Sequence, residues 1–193
     1  MKKIVVVGMG DVLQGDYGAG CFVLEKLAET VTENEIEFAY LGEETRFGCG
    51  FLYKADLAIV VGALNLSGMP GVLHCWDAGV FRQHAPWMAK EFRIVRGLTE
   101  ALARTDLACG LPRRLCFIFI EPQTSHGYGI SDPVRKAIFK AVQRIHREIG
   151  QFRRESTDSD DVQTELCQFR SNNAITPDPD EPGPNPASEN FLT

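Results

Sequence analysis

The sequence predicts one α/β domain with helices on both faces of a mostly parallel sheet. Three observations carry this. Residues 4–7 (IVVV), 57–61 (LAIVV) and 115–120 (LCFIFI) are short, continuous apolar runs, the pattern of strands covered on both faces. Stretches with helical apolar spacing separate them. A capped, strongly striped helix follows the last run.

Taken in order, IVVV is the first strand and leads into the glycine-rich turn GMGDVLQGDYG. Residues 21–28 (CFVLEKLA) place Phe22, Val23 or Leu24, and Leu27 about one turn apart, which predicts a helix. Residues 36–40 (IEFAY) alternate as a second strand, and residues 45–53 predict a short helix. LAIVV is the third strand. The turn Gly68-Met69-Pro70-Gly71 precedes a fourth at residues 72–76 (VLHCW). Residues 97–107 predict a helix before the last strand, LCFIFI. The closing helix has Ser131 as its cap, Pro133 in its first turn and Gly150 as its expected end. Val134, Ile138, Val142, Ile145 and Ile149 form its apolar stripe.

Composition excludes several classes. The 193 residues suffice for one domain with a proper core, and 44% hydrophobic with 24% charged residues is ordinary for a globular protein. No apolar run approaches the roughly 18–20 residues needed to span a bilayer, so no membrane insertion is expected. Two lysines followed by only four apolar residues do not make a signal peptide. The six cysteines are scattered without a C-x-x-C, which fits free thiols in a reducing cytoplasm.

The net charge of −6 resides in residues 151–193, which hold nine acids and three arginines; residues 1–150 hold 17 acids and 17 bases. No basic stripe points to nucleic acid. Five of the ten prolines lie in the same tail, in PDPDEPGPNP. The expectation is therefore a folded domain over 1–150 and an acidic, proline-rich, disordered tail over 151–193.

The first loop does not match a nucleotide site. The dinucleotide fingerprint needs a third glycine where Leu13 stands, and an acid at the end of the second strand, where Tyr40 stands. No P-loop sequence occurs either.

Three stretches together resemble the hydrogenase maturation endopeptidases, which process the large subunit of nickel–iron hydrogenases. GMGDVLQGDYGAG resembles that family's opening G-x-G-N-x-L-x-x-D-(D/E)-x-x-G. LAIVVGALNLSGMPGVLHCW is similar to its central strand, acid and following G-x-x-P-G turn. FIFIEPQTSHGYGISDPVRKAIFKAVQRI is similar to its closing run, although Glu121-Pro122 reverses the family's order of proline and glutamate. The resemblance implies a three-layer α/β/α fold with a five-stranded sheet. It also implies three side chains that sense nickel already inserted in the substrate: an acid after the loop aspartate, an acid ending the third strand, and a histidine beginning the helix before the last strand.

In this sequence those positions fall at Tyr17, Gly62 and, with Gly97-Leu98 aligned to the family's G-L, at Ile94. A protonated phenol, no side chain and an alkyl group replace carboxylate, carboxylate and imidazole, the groups divalent nickel prefers. The opening motif's asparagine is also changed, to Asp11. No metal, cofactor or catalytic residue is therefore expected.

Asp16 is retained and is expected to cap the following helix. Asp11, Asp16, Tyr17 and Glu43 are the residues expected to line a partner-binding cleft at the strand ends. Glu44, His74, His84 and His126 remain as spare polar groups that a relocated site could draw on. The function expected is non-catalytic: binding of a hydrogenase large subunit or a maturation factor during assembly. Two alternatives are an active endopeptidase with a shifted site and a small-molecule-binding α/β protein.

Overall fold

The structure is a computed structural model and describes residues 2–31 and 36–172, with side chains up to residue 156. The first compact unit, Met1–Arg153, is built on a five-stranded sheet. Its strands are β1 (Ile4–Gly8), β2 (Ile36–Tyr40), β3 (Leu57–Ala63), β4 (Leu73–Asp77) and β5 (Arg114–Ile120). Their spatial order is β2-β1-β3-β5-β4. The β1–β2, β1–β3 and β3–β5 pairs are parallel, with Ile4 level with Ile36 and Leu57, and Leu57 level with Arg114. β4 is the antiparallel edge, with Leu73 opposite Ile120 and Asp77 opposite Cys116.

Strand periodicity sorts the core into two layers. Ile4, Val6, Ile59, Val61, Ile118 and Ile120 face α1 (Ala19–Thr30) and α5 (Asp132–Asn172), where Val23, Leu27, Val134, Ile138, Ile145 and Ile149 meet them. Val5, Val7, Val60, Phe117 and Phe119 face the other way. They meet α2 (Cys49–Leu52), α3 (Ala78–Glu91) and α4 (Arg93–Cys109) through Leu52, Phe81, Met88, Val95, Leu98 and Leu102. Each such side chain contributes about 1.5–3 kcal/mol by leaving water. The three-layer architecture is the expected one.

Three segments differ from expectation. The helix α3 lies in a stretch with no predicted element. Asp77 starts it, its Oδ1 accepting from the Val80 amide at 2.8 Å, and it accommodates Pro86 in its interior. The helix α4 begins at Arg93 rather than at residue 97, so Ile94 lies in its first turn. The helix α5 does not end at Gly150. That glycine keeps helical geometry, and the buried Phe152 prolongs the stripe of Ile145 and Ile149 one turn further, so nothing in the chain stops the helix there.

The second unit, Arg154–Thr193, is described as the continuation of α5 up to Asn172. Residues 151–172 are described as part of that helix. The remainder of the tail expectation, from residue 173 onward, lies outside the described residues.

Candidate functional site

Leaving β1 the chain turns toward β2, and leaving β3 it turns toward β4 and β5. The gap between β1 and β3 is the switch point where parallel sheets place ligand sites. Four connections gather at that end of the sheet: residues 9–18, 41–48, 64–72 and 121–131. Gly10, second in the first connection, has φ of 121°, and a Cβ there would lie 1.8 Å from the Tyr17 carbonyl oxygen. Its amide donates to the Gly42 carbonyl at 2.9 Å, and the Tyr40 hydroxyl donates to its carbonyl at 2.6 Å. The first two connections are thereby joined.

Asp16 does not cap α1. It lies in the 3-10 turn Gly15–Gly18, and α1 has no side-chain cap because its N-cap residue is Gly18. The Asp16 carboxylate is fully buried and reaches the last connection. Oδ2 accepts from the amides of Gln123 (2.8 Å) and Thr124 (3.0 Å) and from the Ser131 hydroxyl (2.8 Å). Oδ1 accepts from the Ser131 amide at 2.7 Å. With four hydrogen bonds and no exposed surface, Asp16 is not placed to line a partner-binding cleft as expected; it ties the first connection to the last. The other three candidates are at the surface. Asp11 closes an Asx turn, Oδ1 accepting from the Leu13 amide at 2.9 Å and Oδ2 from Gln14 Nε2 at 3.0 Å. The same amide nitrogen is 3.5 Å from Glu43 Oε1, so Gln14 spans Asp11 and Glu43. Tyr17 is half-buried against the α1/α5 layer, and its phenol is held above its ordinary pKa by burial first and then by the charge of Glu121.

Glu121 is a second buried carboxylate, at the end of β5. It accepts from the amides of Leu66 (3.1 Å) and Gly68 (3.1 Å), and its Oε1 is 2.8 Å from His74 Nε2. A Cβ at position 68 would stand 2.7 Å from that oxygen, so a glycine is needed for the loop to close on it. The sequence left the Glu121–His74 pairing unread. The available signal was an acid placed directly after the apolar run LCFIFI, where its side chain enters the interior beside its strand neighbours.

The three positions that the resemblance assigns to nickel sensing do not fit a metal. Tyr17 packs in one layer, while Ile94 packs in the other. Gly62 lies in β3, and a Cβ there would meet Met9 Cγ at 2.7 Å and Met9 O at 3.0 Å. Met9 is fully buried, so the room for an acid at position 62 is already filled. Glu44 is engaged by Arg93 Nη2 at 2.6 Å and Arg46 Nε at 3.1 Å. His84 stacks on Trp76 at 4.8 Å, and His126 lies in the exposed last connection, its Nδ1 3.0 Å from Ser125 Oγ. Among the described residues, no three of His, Cys, Asp and Glu gather as a group that could hold a metal ion.

Large apolar side chains stand among the exposed polar residues of this end. Val12, Leu13, Tyr40, Phe47, Met69 and Tyr128 are exposed, all at or just beyond the carboxyl ends of β1, β2, β3 and β5.

No protein-family model matches the sequence, and no curated protein matches it. Solved structures share its fold. The hydrogenase maturating endopeptidase HybD from E. coli aligns with TM-score 0.70 and 19% identity, over 77% of this chain and 93% of its own. An endopeptidase from Escherichia coli gives 0.67 and 19%, over 74% and 89%. The nickel–iron hydrogenase maturation protease HybD from Thermococcus kodakarensis gives 0.59 and 19%, over 75% and 97%. This chain therefore has the α/β/α fold of the hydrogenase maturation endopeptidases.

Proposed function

We propose that this chain is a non-catalytic relative of the hydrogenase maturation endopeptidases that binds a nickel–iron hydrogenase large subunit, still carrying its C-terminal extension, during assembly. The observation that carries the reading is the fringe of Val12, Leu13, Tyr40, Phe47, Met69 and Tyr128 around the strand ends. The positions that the resemblance assigns to nickel sensing are Tyr17, Gly62 and Ile94. Met9, which fills the space an acid at position 62 would need, supports the non-catalytic part of the reading. Asp11, Glu43 and the Tyr17 ring provide polar and aromatic contacts at the rim, a mixture found at interfaces. A maturation factor presenting the same unprocessed subunit is a partner of equal chemistry. Among the described residues no helix is long and apolar enough to cross a membrane. The proposed setting is the cytoplasm, where cysteines such as Cys21, Cys49 and Cys75 stay as free thiols.

The test is recovery of the tagged chain from its native host, with intact masses of what comes with it. A large subunit at the mass of its extended form is the expected result. Recovery of the processed form, with the extension released by the purified chain, would replace this reading by a working endopeptidase. Absence of any hydrogenase component would leave the fold without the function.

A further inference from the structure

The helices α3 and α4 leave a cavity of ≈ 370 Å³ between them, beside the start of β5. That volume is in the range of small-molecule sites, about 300–1,000 Å³. The helix α3 lines it with Ala78, Phe81, Arg82 and Ala85. The helix α4 lines it with Thr99, Leu102, Ala103 and Asp106. Both sets are spaced i, i+3, i+4, i+7, so each is one continuous helix face. Phe81, Leu102 and Leu115 are buried and form an apolar floor. Ala78, Ala85 and Ala103 supply little volume, and the space between the helices stays open where larger side chains would fill it.

The walls carry one charge of each sign. Arg82 on α3 and Asp106 on α4 are both exposed and line the same cavity. Among the described residues, neither side chain has a hydrogen bond or an ion pair, with the other or with any third group. Arg93 and Arg96 of α4, by contrast, are engaged by Glu44 and by the Ala89 carbonyl. A guanidinium donates to a carboxylate in a fork, and a carboxylate accepts from an ammonium. An apolar floor below one charge of each sign matches a molecule with an apolar body and both charges at one end. A free α-amino acid with an apolar side chain has that form, with ammonium and carboxylate on one carbon.

We propose that the cavity between α3 and α4 is a binding site for a free hydrophobic α-amino acid. Arg82 takes its carboxylate, Asp106 takes its ammonium, and its side chain rests on Phe81, Leu102 and Leu115. The site lies at the amino end of β5, whereas the four connections gather at the carboxyl end. It is therefore independent of the function proposed for the cleft.

The full chain, isotopically labelled at its alanine and leucine methyl groups, would be titrated with L-phenylalanine and followed by NMR. Saturable shifts are expected at Ala85, Leu102 and Ala103, with Ala137 in the other core layer unmoved. 3-Phenylpropionate lacks the ammonium and phenethylamine lacks the carboxylate, so each should bind about three- to fivefold more weakly. Arg82→Gln and Asp106→Asn remove exposed groups without partners, so the fold should survive and binding of phenylalanine should weaken by a similar factor in each. Ala103→Leu, also at an exposed position, fills the space and should abolish the shifts at Ala85 and Leu102. The proposal is overturned if no cavity methyl shifts saturably or if the three probes bind equally. Undiminished binding of phenylalanine by Ala103→Leu, or by the double variant Arg82→Gln with Asp106→Asn, overturns it as well.

Discussion

Met9 occupies the space beside Gly62: a Cβ on Gly62 would stand 2.7 Å from Met9 Cγ and 3.2 Å from Met9 Cε. The two residues lie on adjacent parallel strands, or just past one, and act as a packed pair. Gly62→Ala should destabilise the chain by about 1–3 kcal/mol through overpacking. Met9→Ala alone should cost about 2–5 kcal/mol as a buried large-to-small change. The double variant should lose less than the sum, because truncating Met9 makes room for the new methyl. Denaturant midpoints of the four proteins form the cycle, and strict additivity would show that the two side chains do not compete for space.

Asp16→Ala would leave the amides of Gln123, Thr124 and Ser131 without their acceptor. Each buried donor stranded in this way costs about 1–3 kcal/mol, less when the loop can open to water. The expected result is a loss of more than about 2 kcal/mol, with amide exchange at 123 and 124 accelerated far beyond that in β1. Unchanged exchange at those two amides would count against the anchoring role.

Glu121→Gln is expected to loosen the connection 64–72. An amide offers one acceptor oxygen where the carboxylate now serves Leu66, Gly68 and His74. Limited proteolysis should cut this connection sooner in the variant, while cleavage elsewhere keeps its wild-type order.

Burial raises the Cys116 thiol to about 11, and the charge of Glu148 adds to the effect. Its neutral form is therefore favoured by folding. Between about 9 and about 11 the unfolded chain has lost this proton and the folded chain has kept it, so stability attributable to the group falls as pH rises through that window. Alkylation of Cys116 at pH 8 should be slow and should rise about tenfold per pH unit. Glu148→Gln should speed it, as removal of a nearby negative charge favours the thiolate.

Leu13→Asp and Met69→Asp place charge in the exposed apolar fringe. Both positions are solvent-facing, so thermal midpoints should move little, with stability changes within about 0.5 kcal/mol. Co-recovery of the large subunit should drop sharply. Undiminished recovery with both changes combined would relocate the docking surface.

The sheet was legible in the sequence because IVVV, LAIVV and LCFIFI are covered on both faces and leave little alternative to buried strands. Elements with one wet face were read less well. The helix α3 mixes Arg82, Gln83, His84 and Pro86 among its few apolar residues, and α5 was cut short at a glycine that tertiary packing holds helical. The cleft's stitching was not legible, since Asp16 bonds to groups 107 to 115 residues away and Glu121 to groups about half as far. Most of those partners are backbone amides, which every residue but proline carries, so no sequence pattern marks them.

The bonds from Asp16 to Ser131 also set a schedule for synthesis. The connection after β1 emerges early, yet its acceptors stay unmatched until Gln123, Thr124 and Ser131 have left the ribosome. At about 5–20 residues per second, the intervening stretch takes several seconds or more to be made. Throughout that interval the connection after β1 lacks the donors that fix Asp16 in the finished fold.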